Sequence, residues 1–329
     1  MQTQKPLGII DTLGEGFASL HRHLWIILLP VLLDALFILG PGVSFAPVAE
    51  RMSAGINRSL PAATSGAQAD PDAAEVVDSV RKNVREYRNA NLLGVLSWQL
   101  PSLATTTSPI AVPKLPPFVA AEITSEPAVF GLTLALAAIG LFGTSFYLST
   151  LARGVQSGGG PGVLGRSGRT WVRLVALWVM LAVVAIPVSV LAVVVGSLAG
   201  LAGSAGVSFL AGLAGAGMVL VLFYTFFLDD ALVLQEVWPL PAAIASARVV
   251  LRYFWQSLGF IVLANVISAG TALAWQWVIS YPPGLPAAVL GHAYVSSGLT
   301  AAGLLFFWQR RPALAPAATS GVTPPRPEV

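Results

Sequence analysis

The chain has 329 residues and a formal net charge of +3; 55% of its residues are hydrophobic and only 10% are charged. Soluble domains carry about 25% charged residues, so this composition excludes an ordinary water-soluble protein. The sequence contains no cysteine, which excludes disulfides, thiolate metal sites and cysteine nucleophiles.

The apolar residues lie in continuous runs, whereas a membrane β-barrel would show alternation. Six runs are long enough to cross a bilayer core about 30 Å thick, since a crossing helix takes roughly 20 residues. These predicted spans are residues 24–39, 128–151, 174–195, 207–228, 254–279 and 287–308. The sequence therefore predicts an all-α, polytopic bundle of six transmembrane helices within residues 24–311, followed by a disordered tail at 312–329.

An amphipathic helix is predicted ahead of the first span, in a cytoplasmic segment covering residues 1–23. Apolar residues recur there at helical spacing, opposite Asp11 and Glu15, as in helices that lie on a membrane surface. The leader contains these acids, and the apolar run is interrupted by Pro30 and Asp34. We therefore expect a retained span and not a cleaved secretory signal.

Residues 42–127, between the first two spans, form the one long hydrophilic segment of the sequence and are predicted to be an outer loop. Within it, Asp72 begins a helix whose charged face carries Arg81, Lys82 and Arg85. This face would contact anionic lipid headgroups or an acidic partner. Alternatively it is a solvated helix face, which is the more common role of such a charge run.

Residues 92–100 of the same loop are apolar and contain Trp98. The prolines that follow, from Pro101 to Pro117, prevent a continuous spanning helix. An interfacial or re-entrant segment is therefore expected here.

Arginine placement predicts the orientation, because short cytoplasmic loops are enriched in Lys and Arg. The arginines in question are Arg153, Arg166, Arg169 and Arg173 after the second span, Arg248 and Arg252 after the fourth, and Arg310 and Arg311 after the sixth. By contrast, residues 196–206 and 280–286 carry no charge. We therefore expect both termini in the cytoplasm, with Arg248 and Arg252 as candidate headgroup contacts.

Asp34 is the most informative single residue, because a carboxylate inside a membrane span is costly and by default marks a functional site. Counted from the inner ends of their spans, Asp34, Asn265, Thr144 and Ser297 fall at similar depths near mid-membrane. They form a candidate intramembrane polar layer. As a functional site this layer would relay protons or cations; otherwise its hydrogen bonds hold the helices together, which is ordinary in membrane bundles.

Asp229 and Asp230 follow the fourth span and match the start of an aspartate-rich metal motif, but Val233 stands where a further acid is needed. Helix capping, or pairing with Arg248 and Arg252, is the simpler interpretation. No nucleophile, base and orienting residue occur together. The sequence therefore predicts no catalytic residues, no metal site and no cofactor.

Three segments carry a resemblance to known proteins: residues 29–34 (LPVLLD), residues 246–248 (SAR) with the Phe254-Trp255 pair, and residues 292–294 (HAY) with the pair at 298–299. They resemble segments of uncharacterised six-helix bacterial integral membrane proteins. More distantly, the chain is similar to the membrane domain attached to some glycerophosphodiester phosphodiesterases. The resemblance implies a membrane helix bundle but not phosphodiesterase activity, since no catalytic domain of that kind is present.

These features predict a multi-pass protein of the bacterial cytoplasmic membrane that contacts lipid and binds no nucleic acid. The first functional hypothesis is a non-enzymatic scaffold or accessory protein that binds a protein partner through outer loop 42–127, with the oligomeric state left open. The alternative is a small permease that uses Asp34 as a proton- or cation-coupled site. A lipid-processing enzyme, the third hypothesis, would need a headgroup substrate near Arg248, Arg252 and Asp230.

Overall fold

The computed structural model describes residues 6–51, 54–55, 91–97, 100–103, 120–156, 162–200 and 203–311. The predicted outer-loop helix with Arg81, Lys82 and Arg85 lies outside these residues, and so does the tail 312–329. Both therefore stay predictions.

The described chain is mainly α-helical. Its helices are α1 (Ile9–His21), α2 (Leu28–Leu39), α3 (Glu126–Gln156), α4 (Val163–Gly200), α5 (Ser204–Tyr224), α6 (Leu228–Gln235), α7 (Pro239–Arg252), α8 (Phe254–Ile279) and α9 (Gly284–Arg310). It also contains 3-10 turns at Leu24–Ile27 and Leu92–Ser97, and two short strands, β1 (Gly42–Ser44) and β2 (Ala120–Glu122). The predicted all-α class is confirmed.

Several of these helices are long and apolar enough to cross a membrane. Among the described residues there are five candidate spans: Glu126–Gln156, Val163–Gly196, Ser208–Gln235, Phe254–Ile279 and Gly284–Arg310. A sixth results if α1 and α2, which meet at an angle of 90°, count as one broken span. A multi-pass membrane protein is therefore supported, while the number six and the N-in, C-in orientation remain predictions.

Helix α1 lies where the amphipathic helix is predicted, and it packs against α9. Gly16 and Ala302 allow the two backbones to approach: a Cβ added to Gly16 would lie 2.6 Å from the Ala302 Cα. One turn along, the Phe17 ring fills the space that Gly298 leaves open. Small residues on α9 therefore hold α1 across the bundle.

The second half of α4 and most of α5 form a hairpin whose apolar side chains are exposed. Residues 181–192 of α4 and 211–222 of α5 are exposed throughout. An apolar surface of this extent would be unfavourable in water, since soluble monomers rarely expose such patches. The hairpin is consistent with a chain that is surrounded by lipid.

Two short strands join the ends of residues 42–127, the predicted outer loop (the outer segment). Strand β1 pairs in parallel with β2, and Ser44 stands opposite Glu122. Ser44 also forms a bridge with Asn91, whose side-chain oxygen accepts a hydrogen bond from the Val43 N–H at 3.0 Å. The chain therefore leaves β1 and returns to the same point before it continues to the turn Leu92–Ser97, which packs against α3.

The predicted orientation can be tested with single cysteines, because the sequence contains none. We expect Gly203→Cys and Tyr281→Cys to react with a membrane-impermeant maleimide added to intact cells. Gly162→Cys, in the arginine-rich connection, should react only after permeabilisation. Labelling of Gly162→Cys and Tyr281→Cys from the same side would contradict the predicted topology.

Candidate functional site in a polar cavity

A cavity of about 490 Å³ lies between α8 and α9. Its polar lining consists of Asp229, Asp230, Asn265, Ser268, His292, Ser296 and Thr300. Along α9 the lining reaches from His292 to Gly303, about three turns or about 16 Å of helix. The cavity is therefore about half as long as a bilayer core is thick, and it lies between two candidate membrane spans.

The cavity adjoins an interruption in a candidate span. Helix α5 ends at Tyr224 and α6 begins at Leu228, so the backbone between them leaves helical hydrogen bonds unmade. Ser246 of α7 replaces two of these hydrogen bonds. Its Oγ donates to the Tyr224 carbonyl at 2.8 Å and accepts from the Phe227 N–H at 3.2 Å. Such compensation is required inside a membrane, where water is not available to unpaired backbone groups.

Aromatic packing fixes the same interruption. Phe227 is fully buried and stacks on Phe306 of α9, with ring centroids 5.1 Å apart. Phe306 in turn stacks on Phe260 of α8 at 4.7 Å. These three rings hold the start of α6 against α8 and α9, so the first turn of α6 lies at the cavity.

The first turn of α6 carries Asp229 and Asp230, and both line the cavity. Asp230 lies directly against α9, since a Cβ added to Gly303 would be 3.4 Å from its Oδ2 atom. Within the part of the chain that the structure describes, neither carboxylate accepts a hydrogen bond or pairs with a cation. The helix macrodipole, with its positive end at the first turn of α6, is the compensation that the fold supplies.

This arrangement corrects the sequence-based interpretation of the two acids. Pairing of Asp229 and Asp230 with Arg248 or Arg252 is wrong, as far as the described residues show. Both arginines project from the exposed side of α7, where the Arg252 guanidinium lies 5.8 Å from the centre of the Tyr253 ring. Their role as headgroup contacts stays a prediction.

His292 lies on the α9 side of the cavity. Its side chain is only 4% exposed, and its Nε2 is 3.3 Å from the Ser296 Oγ. On the α8 side, Asn265 lines the cavity and donates from Nδ2 to the Ile261 carbonyl at 2.8 Å. The walls therefore offer hydroxyl, imidazole and amide groups in addition to the two carboxylates.

The residues of the predicted polar layer make separate contacts. Asn265 lines the cavity. Thr144 donates to the Gly140 carbonyl at 3.0 Å, and the Ser297 Oγ accepts from the Tyr147 hydroxyl at 2.9 Å. These bonds lie within α3 and between α3 and α9, and a single layer of the four residues stays a prediction.

Asp34, the first residue of that layer, is fully buried and holds part of the outer segment. Its Oδ1 accepts a hydrogen bond from the Ser102 Oγ at 2.5 Å, and its Oδ2 accepts one from the Leu103 N–H at 3.0 Å. Leu100 and Pro101, just before these donors, line the cavity. Asp34 therefore clamps the segment that borders the cavity.

No group of three or more His, Asp or Glu side chains suited to a metal ion occurs within the described ranges. From the sequence, the two acids are interpreted as capping residues or arginine partners, because Val233 stands where a metal motif needs a further acid. The signal that could have found them is the pair itself, two adjacent carboxylates within an apolar stretch.

Comparisons with protein-family models, with curated proteins and with solved structures found no match for this chain. The resemblance to six-helix bacterial membrane proteins and to a phosphodiesterase membrane domain therefore stays a prediction from short motifs.

Proposed function

We propose that the protein is a small permease that binds a cationic solute in the cavity, with Asp229 and Asp230 as the charged ligands. The observation that carries this proposal is that two adjacent carboxylates line a membrane cavity without a partner among the described residues. The proposal keeps the permease alternative drawn from the sequence. It moves the charged site from Asp34 to α6.

Asp229 and Asp230 differ from Asp34 in the hydrogen bonds that their side chains accept. An acid in the middle of a membrane span costs about 2.5–3.5 kcal/mol on insertion scales, so structural acids acquire donors. Asp34 follows this rule, with Ser102 and Leu103 donating to its two oxygens. Asp229 and Asp230 accept no hydrogen bond from a described residue. A bound cation would supply the positive charge that these carboxylates lack as a partner.

The interruption between α5 and α6 supports the same proposal. Secondary transporters commonly bind substrates and ions at discontinuous helices, where the ends of half-helices meet a cavity. Here Phe226, between the two helices, and the acidic first turn of α6 line the cavity together with Asn265 and Thr300. This combination favours a positively charged ligand.

The scaffold hypothesis depends mainly on the outer loop 42–127. Most of that loop lies outside the described residues. No described contact favours it over the permease, and it stays a prediction from the sequence.

The test is uptake of radiolabelled guanidinium and tetraethylammonium into proteoliposomes that contain the purified full-length protein. We expect Asp230→Asn, which keeps the shape of the side chain and removes its charge, to reduce uptake at least about tenfold, the effect of about 1.4 kcal/mol in binding. Asp11→Asn is the matched control, because Asp11 is exposed on α1, away from the cavity lining. Its uptake should equal that of the wild type.

Two results would contradict the proposal. The first is that neither cation enters wild-type proteoliposomes faster than protein-free vesicles. The second is that Asp230→Asn and Asp11→Asn transport equally well.

A further inference from the structure

A second group of charges lies away from the cavity, where the first turns of α4 face the end of α6. Arg166, Arg169 and Arg173 all project from α4 toward Glu236. The nitrogen to oxygen distances are 3.5 Å, 3.6 Å and 3.8 Å respectively. Three guanidinium groups therefore surround one carboxylate, none of them within ordinary hydrogen-bond distance of it.

Glu236 alone does not provide a hydrogen-bond acceptor for every buried donor around it. In the part of the chain that the structure describes, Arg166 Nε, Arg173 Nη1 and Gln235 Nε2 are buried and have no hydrogen-bond partner. Arg166 is only 8% exposed, and its other nitrogens donate to the Gln156 Oε1 at 2.8 Å and the Val233 carbonyl at 3.0 Å. Arg166 is thus held in place, with its Nε 3.5 Å from the Glu236 Oε1 and without a hydrogen bond to it.

The charges do not balance either. Three arginines against Glu236 leave a net charge of +2 in this group. A buried guanidinium without a compensating anion is costly, so the arrangement favours a further anion beside Glu236. Arg169 has a side chain that is 51% exposed, which leaves a route for an anion from the surface.

Glu236 itself has an unusual backbone. It follows α6 with φ 54° and ψ 36°, the left-handed region that few residues other than glycine adopt. This conformation turns its carboxylate back toward α4, where it occupies part of the space between the guanidinium groups. A competing anion would therefore have to share this space with the carboxylate or displace it.

We propose that Arg166, Arg169 and Arg173 form a binding site for a phosphate group. Phosphate fits because its several acceptor oxygens match the fixed N–H forks of neighbouring guanidinium groups, and charge-assisted bonds of this kind are strong. The cluster lies on the first turns of a candidate span, the level at which lipid headgroups are found. The phosphate comes from a lipid headgroup or from free solution, and the proposal is independent of the function of the cavity.

The test measures thermal unfolding of the purified full-length protein by tryptophan fluorescence during titration. The probes are sodium phosphate at constant ionic strength, dioctanoyl phosphatidylglycerol, and dioctanoylglycerol, which has the same chains without phosphate. We expect a saturable rise in Tm with a phosphate-containing probe and none with dioctanoylglycerol. A response to sodium phosphate assigns the site to free phosphate, and a response to phosphatidylglycerol alone assigns it to a lipid headgroup.

Three variants separate a binding site from a purely structural ion-pair network. Arg169→Gln should weaken phosphate binding about tenfold, the effect of losing one charge-assisted contact. Glu236→Gln should strengthen it severalfold, because the competing carboxylate is removed. Arg22→Gln, the control, removes an exposed arginine that pairs with Glu15, outside the cluster, and should bind phosphate as the wild type does.

The proposal is overturned if no phosphate-containing probe gives a saturable shift in Tm. It is also overturned if Arg169→Gln and Arg22→Gln weaken binding equally, which indicates diffuse electrostatics. Weaker binding by Glu236→Gln would likewise overturn it, since that result assigns Glu236 to the support of the site and not to competition.

Discussion

Gly16→Ala should lower the free energy of unfolding by about 2 kcal/mol, within the range of overpacked cores. The added Cβ would lie 2.6 Å from the Cα and 2.7 Å from the backbone nitrogen of Ala302, which cannot rotate away as a side chain can. Helix α1 would have to move off α9. Denaturant titration of the purified protein, followed by tryptophan fluorescence, measures the change.

The same substitution two residues earlier is the matched control. Gly14 lies on the exposed side of α1, and a Cβ there meets nothing within 4 Å. Gly14→Ala should therefore stabilise the protein by about 0.5–1 kcal/mol, the gain from removing glycine from a helix. Equal effects of the two substitutions would show that α1 does not pack against α9 as described.

Asp34→Val should destabilise the outer segment by about 2–4 kcal/mol, because two buried donors lose their acceptors at once. The Ser102 hydroxyl and the Leu103 N–H both donate to Asp34, and both residues are at most 1% exposed. The measurement is maleimide labelling of Leu103→Cys, in the presence and absence of Asp34→Val. We expect the substitution to speed labelling at least about tenfold, as the segment opens more often.

Ser102→Ala is the comparison for this prediction. It removes the Ser102 hydroxyl and leaves the Leu103 N–H bonded to Asp34, so it should accelerate labelling less than Asp34→Val does. If Asp34→Val abolishes cation uptake without changing stability or labelling, then Asp34 is a transport residue and the clamp interpretation fails.

The apolar spans could be predicted from the sequence, because lipid leaves a backbone no partner except its own helix. The interruption beside the cavity could not. Residues 224–228 (YTFFL) contain no proline or glycine that would signal a break. The break depends on Ser246 and on ring stacking of Phe227, both of which are tertiary contacts from other helices.

The positions of the polar residues could likewise be predicted from the sequence, but their partners could not. The depth of Asp34 was evident from the sequence, but its donors come from a segment 68 and 69 residues away. In the sequence, the three arginines of α4 predict only which side of the membrane their loop faces. Nothing in the sequence places Glu236 beside Arg166, Arg169 and Arg173. Helix α7 was not predicted either, although Pro239 at its first turn is a residue typical of that position.

The contact between Ser44 and Asn91 divides the outer segment into two parts that should differ in how much their length can change. Since the chain between them leaves and returns at one point, its length hardly affects the helices: each doubling of such an excursion costs only about 0.6 kcal/mol in closure entropy. Insertions and whole-domain fusions should therefore be tolerated before Asn91 and after Arg51, whose side chain donates to the Thr124 carbonyl. Changes after Asn91 would instead alter the packing above Asp34, so homologous chains are expected to differ in size before that residue and to agree after it.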